Sequence, residues 1–136
     1  MAFSLVDRIK QHADQSPIAP ALTGLNGAMT YGLLYDNIAK VANHFDNLRL
    51  PRLGRALLNI ANPDLRLIVF IAAIDYGLIP LVAHPDTVKA NFGWDLVVGG
   101  PEPIWPDVMP DILINPEILA GRFADARRRH FAERAD

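Results

Sequence analysis

Cysteine is absent from the 136 residues, which excludes a disulfide framework, a thiolate zinc site and a cysteine nucleophile. Hydroxyl side chains are scarce: apart from tyrosine, Ser4, Ser16, Thr23, Thr30 and Thr87 are the whole supply. Lysine is equally sparse, and Lys10, Lys40 and Lys89 are scattered, none following a glycine-rich loop. Neither G-x-x-x-x-G-K nor G-x-G-x-x-G occurs, so no phosphate cradle of those kinds is encoded here. Charge of one sign is lacking too. A formal net charge of −2 provides no basic face for nucleic acid. The longest apolar run, residues 67–74, falls far short of the roughly 20 residues that span a bilayer. Residues 1–10 carry Asp7 within their apolar stretch and no basic leader, so a cytoplasmic location is expected.

What is present is hydrophobic, 51% of the chain, at a length that suits one α/β domain over residues 1–136. Phe3, Val6, Ile9 and Ala13 recur at helical spacing, predicting a helix over 4–13 that Pro17 ends. Two extended stretches, 21–25 and 28–30, flank Asn26-Gly27, a strong hairpin signal because both residues tolerate positive φ. Thr30 stands at an N-cap position for a helix over 31–48, with Leu34, Ile38, Val41, Ala42, Phe45 and Leu48 along one face. A compact apolar run at 56–60 reads as a parallel strand covered on both sides. Asn62-Pro63-Asp64 starts a helix that is apolar nearly all round to Tyr76, and Gly77 stops it. Residues 78–82 then read as a second buried strand, completing a βαβ unit with a right-handed crossover.

Beyond this unit, residues 87–92 predict a short helix and 95–98 a third parallel strand ended by Gly99-Gly100. Prolines crowd residues 101–116, predicting an extended connection with one further short strand at 112–114. Residues 117–136 have helical composition, with Leu119, Phe123, Ala126 and His130 as a stripe. The expected fold class is therefore α/β: a mainly parallel sheet with flanking helices, one βαβ core and an N-terminal β-hairpin.

Residues able to carry chemistry are few. His12, His44 and His130 have no companion ligands at metal-binding spacing and read as ordinary surface histidines. His84 is the one ligand-loop candidate. It follows the second parallel strand, at the carboxyl end where open α/β sheets bind ligands, although a plain loop histidine before proline explains it as well. Arg127, Arg128 and Arg129 point about 100° apart on a helix and cannot converge on one anion. Gly99-Gly100 admits either a ligand close to the backbone or a simple turn. Trp94 and Trp105 read as core or lid aromatics. No catalytic constellation and no metal site emerge from the residues themselves.

The order of these features carries more than any one of them. Thr30-Tyr31-Gly32-Leu33-Leu34 opens the long helix, Asn62 follows the first parallel strand, and Asp75-Tyr76-Gly77-Leu78-Ile79-Pro80-Leu81 closes the βαβ unit. Over about residues 3–98 the chain resembles the beginning of the adenylate-forming enzymes: acyl- and aryl-CoA synthetases, peptide-synthetase adenylation domains and luciferases. Tyr76 departs from the pattern, which usually has a small residue there. The resemblance implies ATP- and Mg²⁺-dependent activation of a carboxylic acid in a complete enzyme, followed by transfer to a thiol. The family's Ser/Thr/Gly-rich loop and C-terminal lysine do not occur in this sequence, and residues 128–136 look like a lead-in to that loop. The expectation is an N-terminal subdomain that neither holds ATP nor turns over alone, partnered by the rest of a parent enzyme or by a second copy. Two other readings remain open at this stage: a free-standing binding or regulatory module on the same scaffold, and an unrelated small α/β enzyme acting through His84.

Overall fold

The computed structural model describes residues 4–24, 27–91, 93–115 and 119. Helix α1 (Leu5–Gln15) begins at Ser4, whose hydroxyl accepts from the Asp7 amide at 3.1 Å while the Asp7 carboxylate accepts from the Ser4 amide at 3.3 Å. That reciprocal box satisfies amides a helix start otherwise leaves open. Strands β1 (Pro20–Gly24) and β2 (Gly27–Thr30) pair antiparallel with Gly24 opposite Gly27, the register of a two-residue hairpin. Thr30 caps α2 (Tyr31–Asn47) by accepting from the Leu33 amide at 3.2 Å.

The main sheet runs β4-β3-β5-β6 and every neighbouring pair in it is parallel. Its strands are β3 (Arg55–Asn59), β4 (Ile79–Leu81), β5 (Leu96–Gly99) and β6 (Ile112–Leu113). Helix α3 (Pro63–Tyr76) joins β3 to β4, and α4 (Pro85–Asn91) joins β4 to β5. Alternation along the strands divides the interior in two. Ala56, Leu58, Leu96 and Val98 face α2 and α3 in the larger core, with Ile38, Val41, Phe45 and Ile68. Leu57 and Val97 face the other way, against Val88 of α4 and the rings of Trp94 and Trp105. The expected α/β architecture, with hairpin, βαβ unit and parallel sheet, is the one the chain adopts.

Several local expectations change. Strand β4 is an edge strand, not one covered on both sides: Ile79 is 42% and Val82 49% exposed. Pro80 carries the physical reason, since proline has no N–H for an inner strand's second ladder. Ile79 donates to the Gly54 carbonyl at 2.9 Å, so the next N–H position, at Pro80, points away from the sheet and lacks a donor. Helix α3 is buried on most sides, as expected, but one stripe carrying Leu67 (37% exposed) and Ile74 (48%) opens onto solvent. Leu48, placed on the core face of α2 by its spacing, is exposed just past the helix end, whereas Asp36 and Asn37 are buried. Helix α4 starts at Pro85, two residues before the expected position. The helix expected over 117–136 lies outside the described residues except for Leu119, which is buried in the larger core.

Candidate functional site

In an open parallel sheet the crevice for a ligand lies at the carboxyl edge, where neighbouring strands send their connections to opposite faces. Here that point falls between β3 and β5. Strand β3 leads into α3 on the face of the larger core, while β5 leads into residues 101–110, which bring Trp105 and Val108 to the opposite face. Ile60, Asn62, Leu65, Pro101 and Glu102 line a cavity of about 230 Å³ there.

Several polar groups around this cavity are engaged within the fold. The Asn62 side-chain oxygen accepts from the Asp64 and Leu65 amides at 3.0 and 3.1 Å, so it occupies the donors with which a helix N-terminus holds an anion. The Ala61 amide donates to the Glu102 carbonyl at 2.8 Å and ties the two loops together across the crevice. Arg66, one turn along α3, donates to the Ile60 carbonyl at 3.1 Å. Packing accounts for Gly99, where a Cβ would stand 2.8 Å from Pro110, and crowds Gly100, where one would stand 3.2 Å from Leu65. Below the crevice, buried Asn59 holds residues 101–110 in place. Its side-chain amide donates to the carbonyls of Trp105 (2.9 Å) and Val108 (3.0 Å), and its oxygen accepts from the Trp105 amide at 2.8 Å. Asp111 completes the attachment, accepting from the Val97 amide at 2.7 Å.

His84 stands elsewhere. It follows β4, the sheet edge, and not the strand pair at which the connections diverge. Its Nδ1 accepts from the Asp86 amide at 3.2 Å at the start of α4, and its ring meets Trp105 edge-on with centroids 5.9 Å apart. The imidazole is largely exposed, and the one carboxylate beside it is that of Asp86, 3.8 Å from Nδ1. His12 stacks on Tyr31 at 4.8 Å. His130 and the Arg127–Arg129 cluster lie outside the described residues. Among the described residues no three His, Asp or Glu side chains gather to hold a metal ion, and no helix is long and apolar enough to cross a membrane. Around the crevice the first amides of α3 are capped by Asn62, and the Arg66 guanidinium donates to the Ile60 carbonyl.

One open face of the described surface is apolar. Pro63, Leu67, Phe70 and Ile74 recur at intervals of four, three and four along the outer side of α3. Pro63, Arg66, Leu67, Phe70 and Val82 line a groove of about 380 Å³ between that helix and the β4 edge. Sequence reading missed this face because a helix apolar all round hides which side the fold leaves uncovered. It also missed Asn59, which as a polar residue ending an apolar strand gave no sign of its three hydrogen bonds to residues 45 or more positions away.

No family model and no curated protein matches the sequence. Solved structures do match. VinN in complex with 3-methylaspartate superposes with a TM-score of 0.68 at 20% identity, over 93% of this chain and 38% of that one. The inhibitor-bound N-terminal domain of FACL13 from Mycobacterium tuberculosis gives 0.61 at 18%, over 93% of this chain and 36% of that one. A fatty acid AMP ligase from Legionella pneumophila gives 0.60 at 21%, over 72% of this chain and 20% of that one. The chain thus shares its fold with part of each of these proteins, including part of the FACL13 N-terminal domain, and spans between 20% and 38% of their length.

Proposed function

We propose that this chain is the N-terminal part of an AMP-forming acid ligase and forms one layered half of its large domain without catalysing alone. One observation carries the reading: the fold likeness takes in 93% of this chain but 36% of the FACL13 domain. The uncovered side of α3 supports it, since a contiguous apolar face on a small domain marks a surface that something else covers. Chemistry supports it as well. Forming an acyl-adenylate brings a carboxylate to an α-phosphate, two anions, and such a step needs cations and donors aimed at the developing charge. Asn62, Arg66 and Gly100 serve the scaffold instead, capping α3, bracing β3 and admitting the packing of Leu65. In this reading ATP and Mg²⁺ belong to the complete enzyme, and the role of these residues is to present a wall of fixed shape.

ATP–pyrophosphate exchange with the 136-residue chain across a panel of carboxylic acids tests the proposal. No exchange above background is expected; robust exchange overturns it. The coding frame past Asp136 separates this reading from a free-standing module. A Ser/Thr/Gly-rich continuation supports the ligase, and an immediate stop codon favours the module.

A further inference from the structure

We draw no further inference here: the strongest candidate, the open apolar groove between α3 and the β4 edge lined by Leu67, Phe70 and Val82, belongs to the surface on which the proposed function already rests, and nothing in the structure shows what else covers it.

Discussion

At the scale of single residues, Asn59 does most to join distant parts of the chain. Its carboxamide is buried in β3 and replaces backbone pairing that residues 105–108 do not find in a strand. Truncation takes the side-chain partner from the Trp105 amide and the Val108 carbonyl at once, so Asn59→Ala should lower unfolding free energy by about 2–4 kcal/mol, since each abandoned group costs about 1–3 kcal/mol. Urea titration checks the stability, and a red-shifted Trp105 emission would report the loosened loop. Asp75 behaves oppositely. Burial first, and the charge of Asp7 second, raise its pKa above the ordinary carboxylate value, so the folded protein holds this proton more tightly than the unfolded chain does. Stability is therefore lost as pH rises from the ordinary carboxylate range through the raised value. Asp75→Asn should raise Tm at neutral pH and leave it unchanged in acid below both values. An equal effect at both pH values would contradict this assignment.

Among elements, the end of α3 shows how one side chain organises a turn. The Tyr76 hydroxyl donates to the Leu50 carbonyl, Arg52 donates to the Tyr76 carbonyl, and the Arg52 guanidinium lies 4.5 Å over the phenol ring. Phe45 of α2 meets the same ring edge-on at 6.1 Å. A small residue here could not bridge α2, the 49–53 turn and α3, so the large side chain at this position is the turn's anchor. Removing only the hydroxyl, in Tyr76→Phe, should cost about 1 kcal/mol, the usual net worth of one hydrogen bond. Tyr76→Ala also empties space beside Phe45 and should cost about 3–5 kcal/mol. Comparing their chemical denaturation midpoints separates the two contributions. Gly77 follows at φ +112°, which is why the helix stops here and β4 can begin two residues later. Capping residues and glycine stops of this kind were legible in the sequence because they act within a few residues. The cross-links of Tyr76 were not, because Leu50 and Arg52 precede it by more than twenty positions.

For the molecule as a whole, the outward side of α3 determines how the chain behaves alone. Leu67 and Ile74 face solvent while Ile68 and Ala72, on the same helix, are fully buried in the core. Leu67→Gln with Ile74→Gln should therefore change unfolding free energy by about 0.5 kcal/mol or less per site, as surface substitutions do. Ile68→Gln should destabilise strongly, because it buries a polar group in the core. Binding of a hydrophobic dye to the folded chain should fall in the double variant; unchanged dye binding would show that this face is not the exposed apolar surface. The blunted edge at Pro80 bears on the same scale. Strand β4 offers no regular row of outward donors, so a neighbour would cover this side by packing side chains and not by extending the sheet.

Short-range grammar determined most of the fold. Ser4, Thr30 and Asn62 mark helix starts, Gly77 marks a stop, and the apolar run at 56–60 marks a doubly covered strand; each signal is read within four or five residues of itself. Strand order is different in kind. Only the assembled sheet makes β4 an edge and places the divergence of connections between β3 and β5, while His84 follows β4 and meets Trp105. Only tertiary packing, likewise, buries Asp36 and Asn37 while leaving Leu67 and Ile74 open. The physical reason is that propensity and capping are local energies, whereas exposure depends on which surfaces the chain has enough length to cover.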